Sequence, residues 1–81
     1  MLNKIYELLK KNVVELEDVE LEENTSLIAS GYMDSFEVVL ILQKLEEVFK
    51  IDISLDDLNL EDFETPRKIV NMIELRGAKN E

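Results

Sequence analysis

The stretch GYMDSFEVVLILQKLEEVFK, residues 31–50, decides the fold expected for this chain. A turn that begins with glycine leads to Asp34, and Glu37 follows three residues later. This is the spacing of a capping box, with an aspartate in the role of Ser or Thr. Apolar residues then recur with helical spacing. We therefore predict a helix from Ser35 to about Lys50, with the Ser35 hydroxyl at its first position.

Two further stretches have the apolar spacing of amphipathic helices. The first runs from residue 2 to about residue 14. The second begins at Thr65-Pro66, an N-cap followed by proline at the first helical position, and is expected to end near Arg76-Gly77. Each places one apolar stripe against a common core.

The remaining segments are connections. Residues 15–33 have weak periodicity, an acidic cluster and several turn formers, which predicts a long loop. A Ser-x-x-Asp pattern at residues 54–57 predicts a short helix over about 55–58, extending irregularly toward Phe63. No run has the length or alternation of a strand. We expect an all-α fold: a four-helix bundle with a long first loop and a short third helix, with residues 1–81 as a single domain.

Charge limits the partners. Nine Lys and Arg against nineteen Asp and Glu give a formal net charge of −10. This sign repels nucleic-acid backbones and anionic lipid surfaces, so neither nucleic acid nor membrane is an expected partner. No segment is apolar over the length of a membrane span, and we expect a cytoplasmic protein. The acidity either keeps the protein soluble or steers it toward basic partner proteins, and both readings stay open.

The composition argues against an enzyme. The chain has no cysteine, histidine or tryptophan, so thiol and imidazole groups for nucleophilic catalysis or zinc binding are missing. Ser35 has no histidine to serve as its base, and helix rules alone make it an ordinary first-turn residue. Any reactive group is expected to arrive by modification. The acids Asp52, Asp56, Asp57 and Asp62 lack the central glycine of an EF-hand, and no metal site is predicted.

The predicted second helix has two apolar faces. Its core arc is expected to comprise Val38, Ile41, Leu42, Leu45, Val48 and Phe49. The opposite arc comprises Phe36, Val39, Leu40, Gln43, Glu46 and Glu47. A large apolar side chain left in water forfeits about 1.5–3 kcal/mol of burial free energy, so this second arc suggests a contact surface for a partner. The alternative is that the first loop or the third helix covers it.

Several segments in order resemble the acyl carrier protein family: residues 31–37, GYMDSFE; residues 45–49, LEEVF; and residues 51–53, IDI. The resemblance covers nearly the whole chain. It implies that Ser35 receives 4'-phosphopantetheine from coenzyme A through a separate phosphopantetheinyl transferase, and that Asp34 caps the helix and helps the transferase organise Mg²⁺. The arm then carries cargo as a thioester.

The resemblance also implies how partners bind. Loading and processing enzymes with basic docking surfaces would contact a monomeric carrier, at a face comprising Phe36, Glu37, Val39, Leu40, Glu46 and Glu47. Phe36 stands where leucine or methionine is commoner in fatty-acid carriers, and Leu40 where an acid is usual. The carrier face is therefore more apolar than in that pattern.

Three functions remain from the sequence. The main prediction is a carrier of acyl groups in fatty-acid or polyketide biosynthesis. Residues 63–69, FETPRKI, resemble the start of the last helix in D-alanyl carrier proteins, so the alternative is an aminoacyl carrier loaded by an adenylating ligase. The third is a non-catalytic acidic helical interaction module, for which Ser35→Ala would retain full function.

Overall fold

The computed structural model describes residues 1–54, 56 and 58–77. Within them the chain forms three α-helices and two short 3-10 helices, and no strand. The helices are α1, Leu2–Asn12; α2, Ser35–Phe49; and α3, Pro66–Leu75; the 3-10 helices are Val14–Leu16 and Leu60–Phe63. The all-α class is confirmed. The short helix predicted over 55–58 includes Leu55 and Asp57, which lie outside the described residues, and a 3-10 helix occupies the chain just before Phe63.

Local capping signals fix the starts of α2 and α3. The Asp34 side chain accepts a hydrogen bond from the backbone N–H of Glu37 at 2.9 Å. The Thr65 hydroxyl accepts one from the N–H of Lys68 at 3.1 Å, and Pro66 occupies the first turn of α3. Each cap satisfies a backbone donor that the helix itself leaves unpaired. Both predicted caps are confirmed, and with them the position of Ser35 at the start of α2.

The three helices and the first loop share one apolar core. Among the described residues every buried side chain that forms it is hydrophobic. The side chains with no more than 2% exposure include Ile5, Leu9, Leu16, Leu27, Met33, Val38, Ile41, Leu45, Phe63, Ile69 and Ile73. Leu27 and Met33 come from the long first loop, whose Val19, Leu21 and Ile28 pack partly buried against the core. Beyond the 3-10 helix at its start, this loop packs through buried apolar side chains and not through helical structure. No helix in the described ranges has the length and apolarity to cross a membrane.

Val48 corrects the predicted core face of α2. Val38, Ile41, Leu42 and Leu45 are buried as expected, but the Val48 side chain is 54% exposed. It lies on a groove of about 300 Å³ between α1 and α2, whose other lining residues are Lys4, Glu7, Leu8, Lys11, Asn12, Lys44 and Glu47. A helical wheel gives the direction of a side chain but not the distance to the next helix. Charged side chains from both helices line this groove, and such side chains can keep their ends in water while their stems cover apolar surface, so Val48 is left half open to solvent.

Candidate functional site

Ser35 is the first residue of α2 and is exposed to solvent. Asp34, the N-cap before it, is also exposed, and its side chain accepts a hydrogen bond from the N–H of Glu37. The N-terminus of a helix carries a partial positive charge, which favours an anion attached there. A serine at this position is open to an approaching enzyme, and a phosphodiester on its oxygen would be electrostatically favoured.

The turn that delivers Ser35 depends on one left-handed glycine and one buried methionine. Gly31 has φ +86°, a backbone conformation that residues other than glycine rarely adopt, and its N–H donates to the Ile28 carbonyl at 2.9 Å. Met33 is 2% exposed, and its N–H donates to the Leu27 carbonyl at 2.9 Å. The chain is thus anchored two residues before Ser35.

Glu64, just before α3, is hydrogen-bonded to this loop although the two are far apart in the sequence. Its carboxylate accepts a hydrogen bond from the Ser26 hydroxyl at 2.6 Å, and the backbone N–H groups of Ile28 and Ala29 donate to it at 3.3 and 3.2 Å. Its backbone carbonyl accepts from the N–H of Leu27 at 2.7 Å. Sequence reasoning assigned Glu64 no role, because its partners lie 35–38 residues away. In the sequence, Glu64 stood out only as part of residues 63–66, the FETP stretch.

These contacts hold Glu64 in its charged form. The hydrogen bond from Ser26 lowers the pKa of the Glu64 carboxyl below its usual 4.5; partial burial raises it, while the N–H groups of Ala29 and Ile28 and the charge of Lys68 lower it further. An acid with a lowered folded pKa stabilises the native state above its unfolded pKa, and this stabilisation is lost as the pH falls through the folded pKa.

We expect Glu64→Gln to lower the free energy of unfolding by about 1–2 kcal/mol near neutral pH, since it removes charge-assisted hydrogen bonds. The difference from wild type should shrink steadily below pH 4.5, the usual value for this group. Urea denaturation at several pH values measures both. Glu20→Gln, an exposed acid in the same loop, is the control and should cause little change. A Glu64→Gln difference that is constant with pH would contradict the assignment.

Glu37, a second carboxylate near Ser35, lies where its charged form is disfavoured. Burial raises the pKa of Glu37, and the negative charge of Glu15, from the 3-10 helix after α1, raises it further; the backbone N–H of Asp34 acts in the opposite direction. Glu15 is thus close enough for its charge to act on the Glu37 carboxyl. The 3-10 helix therefore lies beside the first turn of α2 and adds an acid to the site that the sequence analysis did not include.

Removing this repulsion should stabilise the protein. With a raised folded pKa, Glu37 makes the native state less stable as the pH rises above 4.5, the unfolded value. We therefore expect Glu15→Gln to increase the free energy of unfolding at neutral pH by a few tenths of a kcal/mol, the scale of exposed charge pairs, and to have no effect in acid. Thermal melts at both pH values, with Glu17→Gln as the control, test this. A lower melting temperature for Glu15→Gln at neutral pH would show that the contact is favourable instead.

Part of the predicted partner face is open to solvent. Phe36 is 83% exposed and Leu40 is 36% exposed, so the described residues do not cover them. Val39 is half-buried and Glu47 is exposed. Glu46 differs, because its carboxylate accepts a hydrogen bond from the backbone N–H of Ile53 at 3.0 Å. Glu46 thus holds the chain that leaves α2, a structural role that the sequence analysis missed.

The sequence predicts no metal site for this chain. Among residues 1–54, 56 and 58–77, no group of three or more acidic, histidine or cysteine side chains is arranged to hold an ion. Of the four aspartates considered for calcium, Asp57 lies outside this set. Calcium binding by these aspartates thus gains no support from the described residues.

Comparison with known proteins defines the class. Residues 3–73 match the family described as "Phosphopantetheine attachment site". The chain belongs to this phosphopantetheine-binding family of carrier proteins, whose cofactor is covalently bound 4'-phosphopantetheine, and it is a carrier and not an enzyme. The exposed Ser35 hydroxyl at the N-terminus of α2 fits such a group.

The relatives point to one branch of the family. The chain is 36% identical over 58 residues to the D-alanyl carrier protein of Lactobacillus acidophilus, covering 72% of this chain and 73% of that protein. It is 33% identical over 75 residues to the D-alanyl carrier protein of Staphylococcus xylosus, covering 91% and 88%. The same name belongs to a relative from Lactobacillus delbrueckii subsp. bulgaricus, 31% identical over 71 residues, with 80% and 89% covered.

These names favour the aminoacyl alternative over the main prediction. Fatty-acid and polyketide biosynthesis, and lipid metabolism more broadly, gain no support from the relatives. The FETPRKI stretch, residues 63–69, was the sequence feature that suggested this alternative. The general prediction of a phosphopantetheine carrier is confirmed.

Proposed function

We propose that this protein is an aminoacyl carrier of the D-alanyl type, with residues 1–81 forming one carrier domain and the prosthetic group attached to Ser35. The observation that carries the proposal is the exposed Ser35 at the capped start of α2, in a chain whose relatives are named D-alanyl carrier proteins. When attached, the arm supplies a terminal thiol that holds the aminoacyl group as a thioester.

Attachment requires a separate enzyme. The Ser35 oxygen attacks the phosphorus of coenzyme A that bears the pantetheine; a new O–P bond forms, the pyrophosphate bond breaks, and adenosine bisphosphate leaves. The serine proton passes to a base of the transferase; the chain itself offers no histidine or cysteine for this role. The residues of the carrier contribute position: Asp34 caps α2 and, as in the family, helps the transferase organise Mg²⁺, while the helix dipole favours the phosphodiester.

Partners are proposed to dock on the exposed face of α2. Phe36, Val39 and Leu40 would enter an apolar depression, and Glu37 and Glu47 would meet Lys or Arg at its rim. Glu46 takes part only through the oxygen that is not committed to Ile53. Such contacts give fast, salt-sensitive association, which suits a carrier that visits several enzymes in turn. A monomer suffices for this role, and the cytoplasmic location stays a prediction.

The arm makes delivery effectively intramolecular. Once the carrier has docked, its cargo is confined near the active site of the partner, which raises the effective concentration of the reacting group. The specificity of the reaction then rests with the partner and with the face that it recognises.

Two loading reactions separate the aminoacyl from the acyl function. The protein is first converted to its holo form with coenzyme A, Mg²⁺ and a broad-specificity phosphopantetheinyl transferase. It is then offered D-alanine with ATP and a D-alanine-adenylating ligase, or malonyl-coenzyme A with a malonyl transferase. We expect intact-mass spectrometry to find one alanyl group and no malonyl group. Malonyl loading without alanyl loading would contradict the aminoacyl proposal and restore the fatty-acid reading.

The interaction-module alternative makes the opposite prediction for the serine. A module that acts through Phe36 and Leu40 alone would work equally well with Ser35→Ala. Loss of function with that variant, at unchanged stability, separates the two.

A further inference from the structure

Two backbone hydrogen bonds link Glu64, just before α3, to Met33, two residues before Ser35. The Glu64 carbonyl accepts from the N–H of Leu27 at 2.7 Å, and the Leu27 carbonyl accepts from the N–H of Met33 at 2.9 Å. Met33 is followed directly by Asp34, the cap of α2. At the same time the Glu64 carboxylate binds the chain around residues 26–29. Glu64 therefore holds the start of the segment that leads to Ser35, and the hydrogen bond between Met33 and Leu27 ties the other end of that segment to the same place.

Helix α2 itself does not need this connection. Its first turn is capped by Asp34 and its inner face is buried, so its helical structure rests on its own residues and the core. What depends on Glu64 is the conformation of the loop before it. Ala29, Ser30 and Gly31 are exposed in that loop, within a few residues of Ser35. An enzyme that reaches the Ser35 oxygen meets this surface as well.

We propose that Glu64 is a positioning residue for the modification of Ser35: it holds residues 28–33 in the shape that the phosphopantetheinyl transferase contacts when it docks. This rests on the proposed attachment at Ser35. Glu64 touches neither the serine nor coenzyme A, and it acts through the loop. Since the loop affects docking and not the reacting atoms, loss of Glu64 should weaken recognition of the carrier and leave the chemical step largely unchanged.

The proposal gives the FETP stretch a physical meaning. Phe63 is buried in the core, Glu64 holds the loop, Thr65 caps α3 and Pro66 occupies its first turn. All four residues are far from Ser35 in the sequence, and no described hydrogen bond joins their side chains to it. The stretch would thus act by shaping the surface beside the serine.

Steady-state kinetics of coenzyme A-dependent loading test the proposal, with the apo carrier as the varied substrate of a broad-specificity transferase. The variants are Glu64→Gln and Ser26→Ala, which change the acceptor and the donor of the hydrogen bond between Ser26 and Glu64. Ile5→Val is the control: it trims the α1 core and lowers the melting temperature but leaves every contact of Glu64 in place. Amide NMR signals of Ala29 and Gly31 report the loop directly.

We expect Glu64→Gln to raise KM for the carrier by roughly threefold or more, with kcat changed by less than about twofold, and to shift the Ala29 and Gly31 signals. Ser26→Ala should also raise KM. Because both substitutions disrupt the same hydrogen bond, the rise of KM in the double variant should be smaller than the two single effects combined. Ile5→Val should keep the wild-type KM.

Two results would overturn the proposal. One is a wild-type KM for Glu64→Gln when the Ala29 and Gly31 signals have moved. The other is an equal rise of KM in Ile5→Val, which would reduce Glu64 to a contributor to stability. Absence of loading in the wild-type protein, under conditions that load a control carrier, would instead refute attachment at Ser35 and this proposal with it.

Discussion

Ser35→Ala is expected to abolish attachment of the prosthetic group while leaving the fold intact. The Ser35 side chain is exposed and the cap of α2 comes from Asp34, so the substitution removes no buried contact and no capping bond. Alanine has a higher helix propensity than serine, and stability should change by less than about 0.5 kcal/mol. Intact-mass spectrometry after incubation with coenzyme A, Mg²⁺ and the transferase measures attachment, and circular dichroism measures the fold.

Ser30→Ala provides the matched control for this result. Ser30 is exposed in the turn before α2, so a transferase that lacked positional specificity could reach it too. We expect Ser30→Ala to gain one phosphopantetheine group, as the wild type does. A mass gain in Ser35→Ala would move the attachment to another hydroxyl and refute the assignment.

The second expected result contrasts two phenylalanines in opposite environments. Phe63 is 1% exposed in the 3-10 helix before α3, whereas Phe36 is 83% exposed on α2. Phe63→Ala should lower the free energy of unfolding by about 3–5 kcal/mol, because it leaves a large cavity. A domain of this size is stable by only about 4–12 kcal/mol, so much of the native state is lost. Phe36→Ala should change stability by less than about 0.5 kcal/mol.

The same pair separates folding from docking. Phe36→Ala should weaken binding to the loading ligase several-fold at unchanged stability, since a large apolar side chain no longer enters the partner. Urea denaturation and a binding titration, run on both variants, give the two measurements. A stability loss in Phe36→Ala that matches Phe63→Ala would mean that Phe36 is covered and that the α2 face is not a docking surface.

The parts of the fold that depend on neighbouring residues were predictable from the sequence. Asp34 with Glu37, and Thr65 with Pro66, act within one helical turn, so spacing alone located both helix starts and thereby Ser35. The core stripe of α2 followed from the helical period at Val38, Ile41, Leu42 and Leu45. Local chemistry decides such features, and a sequence contains it directly.

Features that depend on the distance between elements were not predictable. Val48 fell on the correct arc, but the gap between α1 and α2 leaves it exposed. Glu64 appeared to be one acid among nineteen, and only the fold brings it to Ser26. Glu46 was expected to meet partners, yet it holds the N–H of Ile53. In each case the contact joins residues that no short-range pattern connects.

The site itself was predictable from family resemblance more than from physics. Helix rules make Ser35 an ordinary first-turn residue, and its proposed role came from the order of segments around it. The branch of the family was less accessible, because the face of α2 and the FETP stretch differ from fatty-acid carriers by only a few side chains. The named relatives, and not the geometry, favour aminoacyl cargo.

The most direct measurement is the mass of the protein purified from its native host, followed by fragmentation of the peptide that contains Ser35. We predict a mass that exceeds the bare polypeptide by one phosphopantetheine group, with the added mass on the Ser35 oxygen. A protein that is functional in its host at the mass of its amino acids alone, or one that carries the group on another residue, would contradict the proposed carrier function of Ser35.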